Sequence, residues 1–261
     1  MSLKEQTKQV IEVCKKVADF IFNERKSFSN GTVQAKANQV HDLVTHVDVE
    51  SEKRLIKALK SIEPQAGFIT EETNHQYKSG LNWIIDPIDG TTNFVQNVPH
   101  YCISVALANN EDILLGVVCN VANGDIYYSY KGGLSYCNAD VLKVSDKKAI
   151  TDALIATGFS VKDNSRLKQN LQLLQIIIEQ TRGVRRLGSA ALDLCYVAKG
   201  VFDAYYESNL SAWDVAAGIL IVKNAGGQIS DYKNGSEFLF GNEILATNGN
   251  IHSQLLRYTN Y

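Results

Sequence analysis

The chain has 261 residues, 45% of them hydrophobic, with a formal net charge of −2 and a pI of 6.2. That length and apolar content support one large domain or two intimately packed halves. No basic run offers a footprint for nucleic acid, and no apolar stretch approaches the roughly 18 residues that suggest a membrane span.

Residues 4–22 read as an amphipathic helix, with Val10, Cys14, Val17, Ala18 and Ile21 at helical spacing. The polar stretch from Asn23 to Val40 turns at Asn30-Gly31 and reads as a loop or short hairpin carrying Lys36. A second helix is expected to run to about Ile62, with Val49, Leu55, Ile56 and Leu59 on its apolar face and Pro64 ending it. Asp48 falls in its first turn, where a carboxylate favours the dipole, and alone reads as a helix-start residue. Gly67–Thr73 reads as a short strand ending in the tandem acids Glu71 and Glu72.

The stretch Trp83-Ile84-Ile85-Asp86-Pro87-Ile88-Asp89-Gly90-Thr91-Thr92-Asn93-Phe94 concentrates the chemistry. Its β-forming start predicts a buried strand that stops near Asp86, because Pro87 cannot donate to a ladder. Thr91-Thr92 offers N-cap chemistry, so a helix is expected there, kept short by Pro99. Asp86 and Asp89 then lie between a strand end and a helix start, where backbone N–H groups attract phosphate. Hard oxygen ligands beside an anion site suggest a divalent cation holding a phosphate ester. Asp-Pro and Asp-Gly are also turn dipeptides, so the motif alone reads equally well as a turn. An EF-hand register fails, since the twelfth position counted from Asp86 is Asn97.

Strands at 104–108, 113–120, 125–130 and 133–137 are expected next, joined by turns at Asn109-Asn110, Asn123-Gly124 and Gly132-Gly133. The second half alternates strands (153–157, 184–187, 201–207, 228–230, 243–246) with helices (164–181, 189–199, 213–224, and from about 250). Leu167, Leu171, Leu174 and Ile178 share one face of the first of these helices. Asp214 and Ser189 both fall at helix starts, where the simple reading is a dipole-favourable acid and a cap. Five cysteines without a C-x-x-C pair and five scattered histidines imply free thiols in a reducing cytosol and no zinc.

Glu71, Asp86, Asp89, Thr91 and Asp214 together close a pattern. The Asp86–Thr92 motif, with Glu71-Glu72 fifteen residues upstream and a late Trp213-Asp214, resembles the inositol monophosphatase family of magnesium-dependent, lithium-sensitive phosphatases, in a bacterial-type member. The resemblance runs essentially end to end. It implies a layered αβαβα sandwich: an N-terminal α+β half over 1–142, with helices on a largely antiparallel sheet, and a C-terminal α/β half over 143–261. It implies two to three Mg2+ per subunit, held by Glu71, Asp86, the Ile88 carbonyl, Asp89 and Asp214, with Asp86 bridging. Thr91, oriented by Asp48, would position the attacking water together with Glu71. Asp89, Gly90, Thr91, Gly188, Ser189, Ala190, Glu207 and Asp214 would contact substrate, and Lys36 would sit in a loop over the site. The register of the family favours Glu71 over Glu72.

The activity so implied is hydrolysis of myo-inositol monophosphate by a cytoplasmic homodimer, with a small phosphorylated substrate and neither nucleic acid nor membrane as partner. The same metal site serves relatives that act on the 2′-phosphate of NADP, fructose 1,6-bisphosphate or 3′-phosphoadenosine 5′-phosphate. A nucleotide pocket would call on Tyr205, Tyr206 and Phe159 for apolar surface. A non-catalytic binding protein that retains the fold is the competing class.

Overall fold

The structure, a computed structural model, describes residues 1–27, 34–35, 43–73, 78–159 and 167–259. Lys36 lies outside the described residues. Helix α1 (Leu3–Ser27) is longer than its apolar repeat suggests, because Asn23–Ser27 contains no breaker and continues the helix. A ribbon of β1 (Gln34–Ala35) and β2 (Leu43–Val44) precedes α2 (His46–Ile62), which is capped by Thr45 in a capping box with Asp48. The buried face of α2 is Val47, Asp48, Ser51, Glu52, Leu55 and Leu59: of the expected apolar face, Leu55 and Leu59 turn inward while Val49 and Ile56 are only half-buried. Two acids are buried there because they have partners beyond the helix.

The first sheet follows. Its strands are β3 (Gly67–Thr70), β4 (Leu81–Asp89), β5 (Cys102–Asn109), β6 (Asp112–Asn120), β7 (Ile126–Tyr130), β8 (Tyr136–Cys137) and β9 (Asp140–Val141), with α3 (Thr91–Gln96) between β4 and β5. They lie in sequence order, antiparallel except for the parallel β3–β4 pair. The second sheet takes β10 (Leu154–Thr157), β11 (Gly183–Arg185), β12 (Ala204–Ser208), β13 (Gln228–Ser230) and β14 (Glu243–Thr247) in the order β11-β10-β12-β14-β13. Its helices are α4 (Leu167–Gln180), α5 (Ala190–Ala198), α6 (Ala212–Asn224) and α7 (His252–Thr259).

Three clusters of buried side chains separate five layers. Helices α1 and α2 cover one face of the first sheet through Val10, Leu55, Trp83 and Ile85. Helices α5 and α6 fill the space between the two sheets. Helices α4 and α7 close the far side through Leu173, Ile177 and Leu255. The result is the expected αβαβα sandwich. Helix α4 buries Asn170, Leu173 and Ile177, leaving Leu171 and Ile178 exposed, so its inward face differs from the stripe read in the sequence. The run Leu-Gln-Leu-Leu-Gln-Ile-Ile-Ile is apolar on more than one side, and packing selects between them. Helix α6 lies close on β6 because Gly116 has no side chain: a Cβ there would stand 2.8 Å from the backbone of Ala217.

Candidate metal centre

Alternation along β4 sends Trp83 and Ile85 toward α1 and α2, and Ile84 toward α5 and α6. Asp86 shares the Ile84 side. In a regular strand Asp89, an odd number of residues away, would face the opposite way. It does not, because the ladder slips: Asp86 pairs with Ser104 and Asp89 with Cys102, which places one extra residue on β4. The strand therefore continues through Pro87 to Asp89 instead of ending at Asp86. Pro87 is accommodated because the bulge asks no ladder hydrogen bond of it. Both carboxylates now face the start of α6, where Asp214 stands at the third helical position with an oxygen held by the Ser211 amide at 2.6 Å. Ligand oxygens of Asp86, Asp89 and Asp214 all lie within 4.8 Å of one another.

Each carboxylate is aimed by its own partners. The Ile88 amide donates to Asp86 at 2.9 Å. Asp89 accepts from the Ser189 hydroxyl at 2.6 Å and the Ala191 amide at 2.7 Å, at the N-terminus of α5. Ser189, expected to face substrate, is instead buried, and its hydroxyl serves Asp89. The Ala190 amide is likewise turned to Asp89.

Gly90, not Thr91, caps α3, with φ of 98° and no side-chain bond. A Cβ on Gly90 would stand 3.0 Å from the His100 carbonyl and 3.2 Å from that of Gly188, so glycine is required for both shape and space. Freed from capping, Thr91 donates its hydroxyl toward Asp48 and toward the Ile88 carbonyl, each at 3.1 Å. Glu71, at the end of β3, adds its negative charge to Asp48, Asp86, Asp89 and Asp214. The Glu72 amide faces α2, where it donates to Glu52 at 2.8 Å.

On the other side of the cluster, Glu207 projects from β12 and accepts from the Tyr205 hydroxyl at 2.5 Å. A Cβ on Gly158 would collide with its carboxylate at 1.9 Å, so Gly158 gives Glu207 its room. Tyr205 and Tyr206 are buried and offer no open aromatic face. The exposed guanidinium of Arg186 lies over Gly188, where a Cβ would be 2.5 Å from Nη1, and its charge reaches Glu207.

Burial is the largest force on these groups, and mutual repulsion adds to it. Asp86 and Asp214 are pushed well above the usual carboxylate range by burial and then by their acidic neighbours. Burial also raises Asp48 to about 6 and Glu207 to about 7, against the hydrogen bonds that each accepts. Crowded carboxylate oxygens that resist ionisation are the donor set that suits a hard divalent cation.

Sequence reading passed over two residues that organise this site. Asn93 donates through one nitrogen to the carbonyls of His100 at 2.7 Å and Leu187 at 2.8 Å, joining the α3 loop to the approach to α5. Glu52 was hidden by its charge. Its signal was its place one helical turn after Asp48, on the same face.

Comparison with known proteins agrees with this geometry. The sequence profile described as the inositol monophosphatase family matches residues 2–260. A Nus factor SuhB of Xylella fastidiosa is 38% identical over 192 residues, 74% of this chain and 70% of that protein. An inositol-1-monophosphatase of Rhizobium meliloti is 38% identical over 216 residues, 82% of this chain and 81% of its own. The crystal structure of the extragenic suppressor protein suhB from Bartonella henselae superposes with a TM-score of 0.89 at 32% identity, covering 96% of both chains.

Proposed function

Because the chain belongs to the inositol monophosphatase family, we propose that it is a magnesium-dependent phosphomonoesterase that hydrolyses myo-inositol monophosphate to inositol and phosphate. The observation that carries this reading is the convergence of Asp86, Asp89 and Asp214 beside a threonine directed at a buried aspartate. A protein that only bound its ligand would have no use for that threonine.

In this reading Glu71, Asp86, the Ile88 carbonyl, Asp89 and Asp214 hold the cations. Bound magnesium supplies positive charge that neutralises the carboxylates, makes water a stronger acid and stabilises the phosphoryl oxygens. Thr91 and Glu71 orient the attacking water, and Asp48 fixes the Thr91 hydroxyl through the 3.1 Å bond. The water oxygen bonds to phosphorus as the bond to the ester oxygen breaks, and a proton passes to the departing alkoxide. A threonine hydroxyl is too weak an acid to serve as the nucleophile, so no phosphoenzyme is needed. Amides at the start of α3, from Gly90 onward, face the phosphoryl oxygens. Glu207 accepts from the hydroxyls of the polyol, with its carboxylate held by Tyr205. Gly188 and Ala190 contribute backbone to the same wall, and Ser189 acts there through Asp89.

The burial of Tyr205 and Tyr206 supports a polyol over a nucleotide, since neither ring is free to stack on a base and, of the three aromatic residues such a pocket would call on, only Phe159 is half-exposed. A cytoplasmic homodimer with lithium sensitivity, and two halves meeting at 142/143, belong to the same reading. The test is phosphate release with magnesium from inositol 1-phosphate, fructose 1,6-bisphosphate, NADP and 3′-phosphoadenosine 5′-phosphate, with Asp89→Asn as control. Preference for inositol 1-phosphate is expected. Equal background from both proteins on every substrate would remove the enzyme reading.

Relatives that carry the name Nus factor favour a second role alongside the first. Such a role would use the outer surface and would survive in Asp89→Asn, which separates the two in one variant.

A further inference from the structure

We propose that Glu52 is a positioning residue that sets Glu71 against the carboxylate cluster. It lies in the second turn of α2, and its side chain is fully buried. Among the described residues it forms no ion pair with a cation. Its Oε2 accepts from the Glu72 amide at 2.8 Å, and its Oε1 accepts from the Thr73 hydroxyl. Thr70 closes the same turn by donating to the Thr73 carbonyl at 2.8 Å.

A buried carboxylate with no countercharge among the described residues is costly to keep, and an apolar side chain on this face would pack without that cost. Both donors that sustain Glu52 come from the segment that follows Glu71. The geometry explains why. The pairing of β3 with β4 ends at Thr70 and Ile85, so the sheet holds the chain only up to the residue before Glu71. Beyond that point the Glu72 N–H has lost its ladder. The peptide plane carrying that N–H is the one whose rotation defines ψ of Glu71. Anchoring the N–H on Glu52 fixes that rotation, and with the strand fixing the other side of Cα, the direction of the Glu71 side chain is set.

Asp48 stands one turn earlier on the same face and receives the Thr91 hydroxyl. Helix α2 thus places two distant parts of the centre at once: the water-orienting threonine through Asp48, and the acid at the end of β3 through Glu52. This inference rests on Glu71 being a cation ligand, as proposed above, and adds what aims it.

The experiment compares wild-type protein with Glu52→Ala and Glu52→Gln by two measurements, neither of which needs turnover. Hydrogen exchange of the metal-free proteins reads the amide of Glu72. Electron paramagnetic resonance titration with Mn2+ reads cation affinity. In Glu52→Ala, the Glu72 amide is expected to lose protection and Mn2+ affinity to fall about tenfold, the lower end of what an outer partner of a metal ligand commands. Glu52→Gln keeps the size and one good acceptor, so it should fall between the two. With magnesium at saturation, kcat should recover to within about threefold of wild type, because the site is loosened and not dismantled. Unchanged Mn2+ affinity in folded Glu52→Ala, or in Glu52→Gln where the alanine variant does not fold, would overturn the proposal. Failure of the wild-type protein itself to bind Mn2+ would overturn the ligand role of Glu71, and this inference with it.

Discussion

Ser189 gives its hydroxyl to Asp89 across 2.6 Å and a hundred residues of sequence, tying the cap of α5 to the carboxylate at the end of β4. The same oxygen also receives the Leu192 amide at 3.4 Å, so one hydroxyl serves a helix and a site. Ser189→Ala should cost about 1 kcal/mol of stability through the lost cap. It should also weaken cation binding by about tenfold, as Asp89 loses one of its donors. Thermal melts with and without magnesium measure both, and the melting difference between the two proteins should widen in the metal-bound state.

Asp89→Asn and Asp214→Asn should each lower turnover at least about a hundredfold, because each removes a charge from the cation site. The fold should persist, since an asparagine oxygen can still accept from Ala191 or Ser211. Circular dichroism together with phosphate release tests this. Asp48→Asn should also reduce kcat, yet leave Mn2+ affinity near that of wild type, because Asp48 faces Thr91 and Thr45.

The raised carboxylates give metal-free protein a pH dependence of definite sign. Asp48 binds its proton more tightly folded, at about 6, than in an unfolded chain, and Glu207 does so at about 7. Between the ordinary carboxylate range and these values the folded state holds more protons, so stability declines as pH rises. Metal-free protein should therefore melt higher at pH 5 than at pH 8. Magnesium should reverse this order, stabilising far more at pH 8, where its ligands are ionised. A melting series in chelator and in excess magnesium measures the crossing.

Glu207 makes a separable prediction. If it accepts from substrate hydroxyls, KM for inositol phosphate should fall as pH rises through about 7 and the carboxylate ionises. Glu207→Gln should raise KM about tenfold at pH 8, with less effect on kcat, and should flatten that pH dependence. Initial-rate kinetics at fixed saturating magnesium provide the comparison.

Much of this architecture was legible because its signals were local. The β-forming run Trp83–Ile85, the Gly and Asn turns of the meander and the cap at Ser189 each act within a few residues. The identity of the acids was legible too, since Asp86 and Asp89 stand in one dense motif and Asp214 follows a late tryptophan. Their direction was not. That Asp89 faces the same side as Asp86 depends on a bulge created by pairing with β5, which no window around Pro87 contains. The inward face of α4 and the burial of Glu52 likewise depend on partners distant in sequence. Charge at position 52 argued for the surface, and tertiary hydrogen bonds overrode it.

The bare backbone at Gly116 reaches as far as the chemistry. Helix α6 carries Asp214, and its approach to the first sheet is limited by contact between Gly116 and Ala217. The span from Asp214 to the carboxylates on β4 is thus set by how closely a helix can rest on a strand. Sites that hold their donors at a fixed span sort ions by radius, and magnesium asks for a tighter span than calcium. A methyl group added at Gly116, remote from every ligand, would act as a spacer and tilt the preference toward the larger ion.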